Sequence, residues 1–103
     1  MDVGAKRKEV MASRWRRRRM CILMADNPAP AAIREISARG AFLETNERPE
    51  IGRRIELRHP DAGMIEGEVR SQARDGIGIE FTFGARSVAF ALAAIGADMT
   101  QPR

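Results

Sequence analysis

From Met20 onward the large apolar residues recur at every second position. Ile77, Ile79, Phe81 and Phe83 alternate with Gly78, Glu80 and Thr82, which sets four bulky groups on one face of an extended strand. Ile65, Gly67 and Val69 alternate with Glu66, Glu68 and Arg70, and Ile55 and Leu57 flank Glu56. This is the pattern of antiparallel strands with one face buried and one face wet. The breaks carry turn chemistry. Pro28 and Pro30 mark a loop after the first strand, and Asn46 to Gly52 forms another around Pro49. His59–Gly63 and Ala73–Gly76 read as hairpin connections whose glycines supply positive φ. The pattern predicts six strands, near 20–25, 32–37, 40–45, 53–59, 63–72 and 76–83. Six short strands in so short a chain favour a small closed or nearly closed antiparallel barrel, because closure removes exposed edges.

The period then changes. Val88, Ala91, Leu92 and Ile95 are spaced i, i+3, i+4, i+7, an apolar helix stripe. A short helix is expected from about 85 to 95, packed on the barrel, with Gly96 as its stop. Residues 1–13 show no clean period and read as a mobile arm, 14–97 as one barrel domain with its helix, and 98–103 as a tail.

Charge matters only once it is mapped. The first nineteen residues hold eight basic and two acidic side chains, whereas the rest of the chain holds ten basic and twelve acidic. A basic leader on a slightly acidic body points to a localised anion site. Met20–Ala25 follows this leader as a signal core would. It is six residues long, short of the ~7–15 required, and Asp26 ends it, so a cytoplasmic location is expected with no membrane span. Cys21 is the single cysteine, which rules out an internal disulfide and a multi-cysteine zinc site. In an apolar strand its ordinary role is a small buried hydrophobe. His59 is the single histidine, no serine sits in a nucleophile elbow, and no acidic cluster has metal-ligand spacing. The expectation is a binding module that is not an enzyme and carries no cofactor.

Two stretches could bind. Arg14-Trp15-Arg16-Arg17-Arg18-Arg19 leads straight into the first strand. Guanidinium forks fit phosphate oxygens and the O6/N7 edge of guanine, and they stack on flat rings. Trp15 offers either a stacking platform or an anchor on the barrel. In the second stretch, residues 33–45, Glu35 and Ser37 share a strand face, and Gly40 sits at the bend into the next strand. Glycine there permits positive φ and close approach by a ligand.

Taken together, these stretches resemble the PilZ domain family. That family reads cyclic di-GMP with RxxxR before the first strand and [D/N]xSxxG on the second and third. Arg14 and Arg18 match the first motif, with Arg19 as the neighbouring candidate. E-I-S-A-R-G, Glu35 to Gly40, matches the second except at its first position, where Glu35 stands for Asp or Asn. GRRIELRHP, EGEVRSQ and DGIGIEF look like the remaining strands, so the likeness runs from residue 14 to about 83. The resemblance implies a PilZ-like split barrel with a C-terminal helix that serves as a cyclic di-GMP receptor in bacterial second-messenger signalling. Arg14 and Arg18 would grip phosphate and guanine, Glu35 and Ser37 would hydrogen-bond a guanine, and Gly40 would leave room for the base. Glu35 carries its acceptor one methylene further out than Asp would. That favours the rival reading, a PilZ-like module that works through a protein partner without nucleotide. A nucleic-acid-binding barrel is the weaker rival, because the aromatics point inward and the body is acidic.

Overall fold

The structure, a computed structural model, describes residues 20–99. Six strands form in chain order: β1 Met20–Met24, β2 Pro28–Ser37, β3 Gly40–Glu44, β4 Arg54–His59, β5 Gly63–Ala73 and β6 Gly76–Phe81, followed by one helix, α1, Ala85–Met99. All neighbours pair antiparallel in the order β1-β2-β3-β6-β5-β4, and β1 meets β4 to close the barrel. That closing seam is short, with only Ile22↔Arg58, Leu23↔Leu57 and Met24↔Glu56 in register. The expected six-stranded barrel with a C-terminal helix is therefore the fold. The arm expected over 1–13, and both Arg14 and Arg18, lie outside the described residues.

Alternation puts one face of every strand inside. Leu23, Leu43, Leu57, Val69 and Ile77 are fully buried, and small Cys21, Ala31 and Ala41 fit between them. Burying each large aliphatic side chain contributes roughly 1.5–3 kcal/mol, and the mix of large and small residues fills a narrow barrel. The alternation slips twice. In β2, Ile33 faces Leu43 while Glu35 faces Phe42, so Arg34 is an extra, bulged residue. In β5, Val69 faces Ile79 and Ser71 faces Gly78, which makes Arg70 the bulge. Each bulge reverses which residues of its strand point outward.

Three features differ from the sequence pattern. Pro28 and Pro30 do not mark a loop; they pair with Met24 and Ile22 inside β2. The Pro30 carbonyl accepts a bond from Thr45 Oγ1 on the side away from β1. In a strand the nitrogen and the carbonyl of one residue point the same way, so the missing N–H of Pro30 removes nothing from the β1 ladder. Phe83 does not continue the inward row: β6 ends at Phe81, and Phe83 is 56% exposed. Finally, α1 runs past Gly96 to Met99, and it docks on a different stripe from the one expected. Its buried side is Ser87, Phe90, Ala91, Ala94 and Asp98, while Val88, Leu92 and Ile95 are exposed. The segment is apolar nearly all round, so spacing alone leaves its phase open. Phe90 sets the phase by packing edge-to-face on Phe81, at 5.9 Å between ring centroids, and on His59, at 6.3 Å. Such aromatic pairs add about 0.5–1.5 kcal/mol each beyond the area they bury. Ser87 holds the helix start, its Oγ accepting from Gly84 N–H and donating to Gly84 O, both at 3.0 Å.

Candidate functional site

The bulge at Arg34 makes the site. Ala31 and Ile33 point into the barrel, and strict alternation would bury Glu35 and Ser37 behind them. With Arg34 as the extra residue, both turn outward and stand exposed on the outer face. They line an open groove of about 570 Å³ with Arg39, Phe42, Arg70 and Glu80, floored by Gly40 and Gly78. Three of the five residues singled out for binding, Glu35, Ser37 and Gly40, thus share one surface.

Gly40 has a different role from the one its position suggested. Among the described glycines positive φ occurs at Gly52 and Gly63, so Gly63 fits the hairpin expectation while Gly40 and Gly76 do not. A Cβ on Gly40 would lie 2.2 Å from the Ile79 carbonyl oxygen. The backbone that approaches closely is the barrel's own β6.

Electrostatics divide the arginines. Arg34 Nε donates to Glu44 Oε2 at 2.8 Å and its Nη2 to Asp75, while its guanidinium lies over the Phe42 ring at 4.4 Å. This fastens the bulge to the β5–β6 turn, and the bond from Arg34 holds the Asp75 carboxyl below the usual carboxylate range. Arg70 sits between Glu68 and Glu80, at 3.2 Å from each. Arg39 is different. Its guanidinium lies over the Phe83 ring at 4.5 Å, and among the described residues no carboxylate pairs with it. Its backbone is fixed at both ends, N–H to Ser37 Oγ at 3.1 Å and carbonyl to Phe81 N–H at 2.8 Å. Sequence reasoning passed over Arg39, Phe42, Arg70 and Glu80 as groove residues. A basic side chain inside the gap of E-I-S-A-R-G was the available signal for Arg39; alternation along β5 already set Arg70 outward, but the β5–β6 pairing that brings it beside Glu80 in this groove leaves no mark on the sequence.

The reactive side chains lie elsewhere, under α1. Cys21 is fully buried, and its thiol is pushed up to about 12, first by burial and then by the negative charge of Asp98. A thiol so hard to ionise is a poor nucleophile. His59 Nδ1 accepts the backbone N–H groups of Asp61 and Ala62, at 3.0 and 3.1 Å, which assigns the ring proton to Nε2. That nitrogen is buried and faces Asp98 Oδ1 of the helix at 3.4 Å without a hydrogen bond to it. No group of three His, Cys, Asp or Glu among the described residues could hold a metal ion, and no described helix is long and apolar enough to cross a membrane.

Comparison with curated proteins gives no match, and neither does comparison with solved structures. The family comparison does give one. The model of the PilZ domain matches residues 7–90, a span that takes in the arginine run, the Glu35–Gly40 turn and all six strands. With most of its length matched and the barrel in place, the chain belongs to the PilZ domain family, a family of binding modules generally associated with cyclic di-GMP.

Proposed function

We propose that this protein is a receptor module for cyclic di-GMP, in which Arg14 and Arg18 grip phosphate and guanine while Glu35 and Ser37 hydrogen-bond a guanine over Gly40. The reading rests above all on the outward turn of Glu35 and Ser37 onto one open groove at the end of β2. Met20 pairs with Ala32, so β1 begins beside the part of β2 that continues to Glu35 and Ser37. Arg18 and Arg14 stand two and six residues before Met20. An extended chain covers roughly 7 Å and roughly 20 Å over those intervals. Glu35 is three residues beyond Ala32, roughly 10 Å along the strand. The proposed grip requires the leader to cross that distance, and its length in residues is sufficient.

The energetics agree. Micromolar affinity corresponds to about 8 kcal/mol. Charge-assisted hydrogen bonds at roughly 1.5–3 kcal/mol each, with arginine stacking, supply that before ordering costs. Engagement of the leader by the ligand would alter the surface offered to a protein effector, which is the output of such a module. Calorimetric titration with cyclic di-GMP tests the reading. Saturable binding is expected in the wild type, a loss of tenfold or more (order of magnitude) in Arg18→Ala, and affinity at least equal to wild type in Glu35→Asp. Wild-type affinity in Arg18→Ala removes the assigned contact.

The second reading, a PilZ-type module that binds a protein partner and no nucleotide, is favoured by Glu35, since a longer acid at that position sets its acceptor further from the strand. Absence of a cyclic di-GMP melting shift, with a recoverable protein partner, would establish it instead.

A further inference from the structure

We infer that Arg39, held by Phe83, is a further ligand-binding residue of this groove and donates hydrogen bonds to a phosphodiester of the bound dinucleotide. The inference rests on the cyclic di-GMP reading and adds to it a contact outside both sequence motifs' fixed positions.

The argument begins with which cations are available. An anion entering the groove meets Glu35 and Glu80, which repel it, and Arg70, which is already neutralised by Glu68 and Glu80. Arg34, on the same bulged strand, is engaged with Glu44 and Asp75. Among the described residues of the groove, only Arg39 has a positive charge without a carboxylate beside it. Without it the body of the barrel presents two carboxylates and one neutralised arginine to a doubly charged ligand.

Geometry supports the same assignment. A guanidinium carries its five N–H donors in its plane. Phe83 covers one face of that plane and takes none of those donors. Among the described residues no hydrogen bond or ion pair takes the fork, which can meet two phosphate oxygens. Arg39 is also already ordered. Its N–H and carbonyl are tied to Ser37 and Phe81, and the ring two residues beyond Phe81 steadies the far end of the side chain. A side chain restrained before binding loses less rotamer freedom when the ligand arrives. This also gives Phe83 a role that its exposure otherwise leaves without explanation. It is a positioning residue, placed outside the barrel because β6 stops at Phe81.

The test is calorimetric titration of cyclic di-GMP at about 0.1 M salt, where charges a Debye length apart still interact. Wild type, Arg39→Ala, Arg39→Lys, Phe83→Ala and the double alanine variant are compared, with melting midpoints measured alongside. Arg39→Ala is expected to bind about tenfold more weakly or worse, and Arg39→Lys to regain only part of that, since lysine restores the charge but not the planar fork. Phe83→Ala is expected to weaken binding about threefold in the wild-type background and not at all once Arg39 is gone, with melting unchanged throughout. Arg39→Ala within about twofold of a wild type that binds overturns this inference and leaves the cyclic di-GMP reading standing. A wild type that does not bind overturns both. Full rescue by lysine overturns the fork contact, and additive losses overturn the positioning role of Phe83.

Discussion

Beneath α1, Phe81, Phe90 and His59 meet edge to face, all buried, with Cys21 and Asp98 enclosed beside them. On the outer face of β2, β3 and β6, Glu35, Ser37 and Arg39 stand exposed above two glycines. The two regions share strands, and β6 contributes to both. The difference lies in what each residue is asked to do. Under the helix, Cys21, His59 and Asp98 are buried, and the chemistry that could react is kept from water. On the groove face, side chains with the same charges are left incompletely paired, and only the backbone beneath them is tightly fixed. A substitution should therefore cost folding at one end and recognition at the other.

The largest effect is expected at the closed end. Phe90→Ala removes the ring that sets the phase of α1 and leaves a void against Phe81 and His59. A loss of about 3–5 kcal/mol in chemical denaturation is expected, with groove binding retained in whatever fraction stays folded. A loss under about 1 kcal/mol would break the comparison, because α1 would then be held by something other than this aromatic contact.

A pair of glycines tests the groove floor. A methyl on Gly40 meets the backbone of β6, Ile79 O at 2.2 Å and Glu80 Cα at 3.2 Å, and neither can move alone. Gly40→Ala should destabilise by about 1–3 kcal/mol. A methyl on Gly78 instead meets Ser71 Oγ at 2.4 Å, a hydroxyl that can rotate away. Gly78→Ala should change stability by less than about 0.5 kcal/mol. Equal losses in thermal melts of the two variants would mean that the β3–β6 contact imposes no special demand at Gly40.

The smallest effect is acid dependence. The Asp75 carboxyl lies below its ordinary range because Arg34 donates to it. In the unfolded chain it returns to the ordinary value, so its contribution is fully present above the usual carboxylate range. That contribution disappears as the pH falls through the lowered folded value. The melting difference between wild type and Asp75→Asn should be small at neutral pH and should vanish in acid. The pair is exposed and screened, so a persistent difference in acid would assign the effect to something other than the Arg34 pair.

The sequence made the barrel legible wherever alternation was clean: Ile77–Phe81, Ile65–Val69 and Ile55–Leu57 all point as their spacing requires. It made the groove legible in part, since Glu35 and Ser37 do share a face. Which face they share depends on Arg34, and a bulge residue looks like any other in the string. Pro28 and Pro30 read as a break because proline usually ends a strand; here their nitrogens point away from the pairing partner. The helix was legible as a helix but not in phase, because Val88, Leu92 and Ile95 make as regular a stripe as Phe90, Ala91 and Ala94. Contacts across the barrel end chose between them.

The seam between β1 and β4 gives the molecule a built-in gauge. It is the shortest ladder in the barrel, and the strand it holds contains the lone thiol, facing inward. Should that stave lift from its neighbour while the other five hold together, sulfur meets solvent. The rate at which an alkylating reagent consumes the thiol therefore reports how often the cylinder springs open along that line. A guest bridging the leader and the adjoining stave would act as a hoop, and slower consumption of the thiol would register its presence without any label on the guest.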